Sequence, residues 1–132
     1  MHYSLRSELS SLNHLEKMIQ ALEQEYGLEA ELVHRITMAL HEAITNAILH
    51  GNKLDPSKTV EVETLRDGNH LRITVTDQGE GFDPASLPDP LDEKNLLRSG
   101  GRGVFLIGQF TDELTFNDKG NQLCLIYHLT QH

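Results

Sequence analysis

The chain has 132 residues, 38% of them hydrophobic and 23% charged, the size and balance expected of one globular domain over 1–132 with its own core. No run approaches the roughly 18 apolar residues that would span a bilayer, and a formal net charge of -9 with no basic cluster argues against nucleic acid as a partner. Cys124 is the one cysteine and cannot close an internal disulfide, and the first residues lack a secretory pattern; both point to the cytoplasm.

Tyr3 to Arg6 alternates and predicts an edge strand. Ser10 or Ser11 is placed to cap a helix running to about Tyr26, with Leu12, Leu15, Ile19 and Leu22 on one face and Gly27 as its stop. A second helix is expected from about Glu29 to His50. Leu32, Ile36, Ala39, Leu40, Ala43 and Ala47 recur along it at helical spacing, and Gly51 follows as the terminator. Thr59–Leu65 and Leu71–Thr76 alternate like strands, and Arg66-Asp67-Gly68-Asn69 between them reads as a hairpin turn. An irregular stretch from about Gln78 to Gly101 carries Pro84, Pro88 and Pro90. A loop that long in a compact domain is usually functional or disordered. A short helix over about Arg102–Phe110 and a closing strand pair, Thr111–Phe116 and Gln122–Leu129, complete the chain. Helices on one face of a mostly antiparallel sheet make an α+β two-layer sandwich.

Three constellations carry chemistry. Glu42, Asn46 and His50 are four residues apart on the second helix, so they share a face. An amide oxygen is a hard ligand suited to Mg²⁺, and a carboxylate can orient or deprotonate a hydroxyl. By themselves the three read more readily as a solvated polar face. Asp77-Gln78-Gly79-Glu80-Gly81-Phe82 follows a strand directly. Two glycines two apart allow close approach of backbone to a ligand, and Asp77 can accept from the exocyclic amine of adenine; an isolated motif of this kind is also an ordinary Asp-rich turn. Gly100-Gly101-Arg102-Gly103 opens an apolar helix. Its free N–H groups and the Arg102 guanidinium suit phosphate, while a plain hinge would use the same glycines. No Gly-Lys-Ser/Thr occurs, which excludes a P-loop.

The order of these motifs resembles the histidine-kinase-like ATPases with the Bergerat fold. The helix with Glu and Asn comes first, then two strands, then D-x-G-x-G-F, a loop, and G-G-R-G into a short helix. Within that superfamily the chain is most similar to the anti-sigma-factor serine/threonine kinases. His41-Glu42-Ala43, Asn46-Ala47, His50-Gly51, Phe82-Asp83-Pro84 and Gly101-Arg102-Gly103 carry the likeness, which runs from about Leu32 to Leu129. The resemblance implies ATP and Mg²⁺ as cofactors, with Asn46 on the metal and Glu42 as general base. It puts Asp77 on the adenine amino group, Gly79 and Gly81 in the base pocket and His50 beside the nucleotide. Gly101, Arg102 and Gly103 would hold the phosphates under a lid of about Pro84–Ser99. It further implies phosphorylation of a small anti-sigma-factor antagonist, regulation of a sigma factor by partner switching, and a homodimer. Relatives place a threonine in the last strand pair near adenine. Gly120–Cys124 has none, which leaves that contact to Thr45, Thr76 or water. Two other functions fit the same motifs: a nucleotide-dependent binding module without transfer, and a detached ATP-binding domain of a two-component histidine kinase.

His34 and His41 could share a face, but no Cys, Asp or i+4 His completes a zinc set on that helix, so no histidine metal site is expected. Met18 and Met38 are expected among core residues, and Asp89–Glu93 as a solvated segment of the lid.

Overall fold

A computed structural model describes residues 1–79, 106–117 and 120–129. Strand β1 (His2–Arg6) is followed by a 3₁₀ turn (Leu9–His14), helix α1 (Leu15–Tyr26), helix α2 (Ala30–Asn46) and a π turn (Ala47–Gly51). Strands β2 (Thr59–Asp67), β3 (His70–Thr76), β4 (Glu113–Phe116) and β5 (Gln122–His128) complete the sheet. Residues 106–109 are helical.

The strand order is β1-β2-β3-β5-β4, and all four pairings among the described strands are antiparallel. β1 is therefore an edge strand, as its short alternating pattern predicts. Alternation along the strands sorts their side chains to two faces. Leu5, Val60, Val62, Leu71, Ile73, Val75, Leu123, Leu125 and Tyr127 point to one side. There they join Met18, Leu22, Ile36, Leu40, Ala43, Ile44 and Ile48 of the helices in one buried cluster. Helices on one face of an antiparallel sheet are the expected α+β sandwich. Thr64 is the polar residue on the core side of β2, and it is satisfied by the Tyr26 hydroxyl at 2.9 Å.

Local differences from the expected elements have physical reasons. Neither serine caps α1. Ser11 Oγ donates to the Arg6 carbonyl at 2.7 Å and Ser10 Oγ to the Glu8 carboxylate at 3.3 Å. The 3₁₀ turn leads straight into α1, which has no side-chain cap, because the preceding turn already occupies the capping position. Gly27 does close α1, in the left-handed conformation with φ 61°. α2 ends as an α-helix at Asn46 and widens into the π turn, so His50 and Gly51 lie beyond the regular helix. Met18 is buried, but Met38 is 41% exposed. It falls two residues from Ile36, on the side of α2 away from the sheet.

Candidate functional site

The C-terminal end of β3 meets the C-terminal end of α2, and the first two motifs come together there. Along α2 the apolar residues Ile36, Ala39, Leu40, Ala43 and Ile44 enter the core. That rotation leaves Glu42 and Asn46 half-buried at its edge, one turn apart, and His50 exposed. His41 Nδ1 lies 4.0 Å from Glu42 Oε1.

Past Asn46 the helix closes with a wider ring, in which the Asn52 amide bonds to the Ala47 carbonyl at 2.8 Å. π turns of this kind recur at functional sites, because they re-aim the following residues and free backbone groups. The chain then passes through Lys53 (φ 52°) and Leu54 (φ 59°), two successive non-glycine residues in the left-handed region. Each costs about 1–3 kcal/mol and persists only where its surroundings over-determine it.

Asn52 is part of what determines it. It is 1% exposed; its Nδ2 donates to the Thr59 carbonyl at 2.9 Å, and its Oδ1 accepts from the Gln78 amide at 2.7 Å. Gln78 Oε1 in turn accepts from the Thr59 amide at 2.7 Å. These bonds tie the end of the π turn to the start of β2 and to the residue after Asp77.

Asp77 is held from both sides. The Gly79 amide donates to its Oδ1 at 2.8 Å. Its own backbone pairs with Asn121: the Asp77 amide donates to the Asn121 carbonyl, and Asn121 Nδ2 donates to the Asp77 carbonyl, both at 2.9 Å. Asn121 is placed by Asn117, whose Oδ1 accepts from the Gly120 and Asn121 amides at 2.8 and 3.1 Å. Asn117 Nδ2 also donates to Asn121 Oδ1 at 2.7 Å.

The glycines of the motif serve close approach. A Cβ on Gly51 would run into the Asp77 carboxylate, and a Cβ on Gly79 would overlap the Gly51 carbonyl. Gly51 was expected as a helix terminator. Instead it lies inside the π turn, and its value is the space it leaves for Asp77. Gly51, Asp77 and Gly79 form a stack that locks the loop after β3 onto the π turn.

Of the expected site residues, the fold thus brings Asp77 and Gly79 against the turn that continues the helix of Glu42 and Asn46. Gly81, Gly100, Gly101, Arg102 and Gly103, the lid segment Pro84–Ser99 and the acidic run Asp89–Glu93 lie outside the described residues. Of the two threonines considered for the base, Thr45 Oγ1 donates to the His41 carbonyl at 2.7 Å. Thr76 sits in register with Gln122 on the face away from the helices, where its hydroxyl accepts from Gln122 Nε2 at 2.9 Å. Sequence reasoning passed over Asn52, Gln78, Asn117 and Asn121. A usable signal was present: these amide side chains flank the two irregular junctions, where backbone groups lack ladder partners.

The family described as histidine kinase-like ATPase domain matches residues 5–127. The chain is 34% identical over 101 residues to a protein named anti-sigma F factor of Anoxybacillus flavithermus, covering 73% of this chain and 69% of that one. It is 29% identical over 99 residues to a protein named serine-protein kinase RsbW of Oceanobacillus iheyensis, covering 70% and 63%. Among solved structures, the RsbU and RsbW domains of a Mycobacterium tuberculosis protein superpose with a TM-score of 0.66 at 16% identity. That likeness covers the whole of this chain and 33% of the other. The chain therefore spans a third of that longer protein and less than two thirds of the kinase relative.

Proposed function

Because the chain belongs to the histidine kinase-like ATPase family, we propose that it binds ATP and transfers the γ-phosphoryl group to a serine or threonine of a small antagonist protein. We propose further that it sequesters a sigma factor when that antagonist cannot bind. The observation that carries the nucleotide site is the stack of Gly51, Asp77 and Gly79, which pins a carboxylate beside the turn that continues the helix of Glu42 and Asn46. The names of the relatives, anti-sigma F factor and serine-protein kinase, supply the partner class.

The residues present fit the expected ligands. Asp77 offers an acceptor to the adenine amino group, and Gly79, packed on the Gly51 carbonyl, would fix the loop that lines the base pocket. Gly81 would extend that wall, His50 would border the nucleotide, and Gly101, Arg102 and Gly103 would hold phosphate oxygens. Asn46 offers a neutral oxygen of the kind Mg²⁺ accepts. Bound there, the metal would neutralise charge on the phosphates. Glu42 is one helical turn from Asn46. In the transfer the acceptor hydroxyl oxygen bonds to the γ-phosphorus, the bond to the β-γ bridging oxygen breaks, ADP leaves, and Glu42 takes the hydroxyl proton. The acceptor hydroxyl would be a serine or threonine of the antagonist protein. A homodimer is part of the same proposal.

The test is transfer of labelled phosphate from ATP to candidate antagonist proteins, with mass spectrometry to locate the phosphopeptide. Glu42→Gln should leave ATP affinity within a few-fold and slow transfer by about 10²-fold or more, the scale of a general base. Normal transfer by that variant removes Glu42 from the chemistry. Stable partner binding with no phosphopeptide replaces the kinase with a nucleotide-gated binding module.

A further inference from the structure

Far from that junction, at the opposite end of the strands, three side chains from three strands converge. His70 opens β3 and His128 closes β5, and the two are direct cross-strand partners. Such partners hold their Cβ atoms about 4.5–5.5 Å apart on one face. Glu113 opens β4 and pairs with Ile126, two residues from His128 and therefore on the same face. One ligand atom from each of His70, Glu113 and His128 lies within 4.8 Å of the other two. His128 Nε2 is 2.9 Å from Glu113 Oε2. The His70 ring stands edge-on to that of His128, with centroids 4.9 Å apart and an interplanar angle of 83°.

We propose that His70, Glu113 and His128 form a zinc site on the outer face of the sheet, separate from the nucleotide site. Two imidazoles and a carboxylate are a ligand set zinc takes with its fourth position open. A tetrahedral ion with bonds near 2.0–2.1 Å spaces its ligand atoms about 3.3 Å apart. The His128–Glu113 pair is already that close, and the third ligand needs a shift of about 1.5 Å at most by rotation of solvent-facing side chains. The backbone beneath is braced. The His128 amide donates to Asp112 Oδ2 at 2.7 Å, and Asp112 Oδ1 takes the Arg35 guanidinium at 2.9 Å. Asp67, the β2 partner of His70, adds negative charge on this face, against Arg72 two residues along β3. β3 is seven residues long, so at about 3.3 Å per residue the site stands roughly 20 Å from Asp77. A metal there joins β3, β5 and β4 without touching the nucleotide.

The sequence hid this cluster because it holds no short-range spacing. The ligands are 43 and 15 positions apart in the chain, and only strand pairing collects them.

The experiment uses the full chain, stripped of metal by a chelator and free of nucleotide. Zinc is titrated by calorimetry, and cobalt(II) replaces it for absorption spectroscopy. The expected result is one zinc per chain, a higher melting temperature with zinc, and the visible bands of four-coordinate cobalt. His70→Ala with His128→Ala should abolish the binding isotherm and the bands. Glu113→Gln should weaken zinc by about tenfold or more, since even outer partners of zinc ligands are worth that much. A control with His34→Ala and His41→Ala should bind as the parent does. Circular dichroism checks the fold of each variant; should the double variant unfold, Glu113→Gln and the parent's cobalt spectrum decide. No zinc isotherm for the parent, octahedral cobalt, or undiminished binding after loss of either the two histidines or the Glu113 carboxylate overturns the site and leaves a surface His–Glu hydrogen bond.

Discussion

The two ends of the sheet are built by different means. Where β2 and β3 turn at Gly68-Asn69, the strands stay in register to the last pair, Asp67 with His70. On the core side beneath, Tyr127 is fully buried under the Arg35 guanidinium at 5.6 Å. Burial pushes the Tyr127 phenol far above its ordinary range, so it stays neutral. Where β3 ends at Thr76, just before Asp77, regular structure stops. A helix widens, two residues take positive φ, and side-chain amides replace ladder bonds. The contrast has a simple cause. Strands and helices consume their own N–H and C=O groups. At the junction the chain interrupts both, and Asn and Gln side chains satisfy what is left.

The contrast can be tested by cutting at each end. The largest loss should come from the regular part. Ile73→Ala removes a fully buried side chain from the middle of β3 and should cost about 2–5 kcal/mol in denaturant unfolding. A cost under about 1 kcal/mol would mean that the core does not centre on β3.

Asn52→Ala comes next. It strips partners from the Thr59 carbonyl and the Gln78 amide and should cost about 1–3 kcal/mol. Nucleotide affinity should fall with it, because the loop carrying Asp77 loses its tether. Stability loss with unchanged ATP affinity in calorimetry would separate Asn52 from the site.

The two glycines sharpen the comparison further. Gly79→Ala forces backbone apart at the stack and should cost about 1–3 kcal/mol together with ATP affinity. Gly68 has φ 59° with nothing near its missing Cβ, so Gly68→Ala should cost about 1 kcal/mol of strain and leave ATP affinity alone. Equal effects on ATP binding would erase the distinction between the two ends.

The smallest effect is electrostatic. Burial pushes the Asp112 carboxyl up, but hydrogen bonds from the His128 amide and Arg35, with the charge of Arg35, outweigh it and hold the group below the usual carboxylate range. A depressed carboxylate stabilises the fold above its unfolded pKa, and that stabilisation is lost as pH falls through the folded value. The pair is partly solvated, so Asp112→Asn should cost under about 1 kcal/mol at pH 7. The gap from the parent should close below about pH 4. A gap that widens in acid would reverse the sign.

Periodicity alone determined much of this protein. The alternation of Thr59–Leu65 and Leu71–Thr76, the stripe of Ile36, Ala39, Leu40 and Ala43, and the stop at Gly27 are local consequences of which residues can share a face, and they fold as expected. Glu42, Asn46, Asp77 and Gly79 are written as short words in the chain, and their roles at a nucleotide are the proposal made above. The tertiary structure decided the rest. Why Gly51 must be glycine depends on Asp77, 26 positions later. What holds Asp77 depends on Asn121, 44 positions beyond it. Where His70 meets His128 depends on β5 pairing with β3 instead of remaining only beside β4. Local pattern sets which face a residue takes; which residue it meets there is set by strand register, and register is a property of the folded whole.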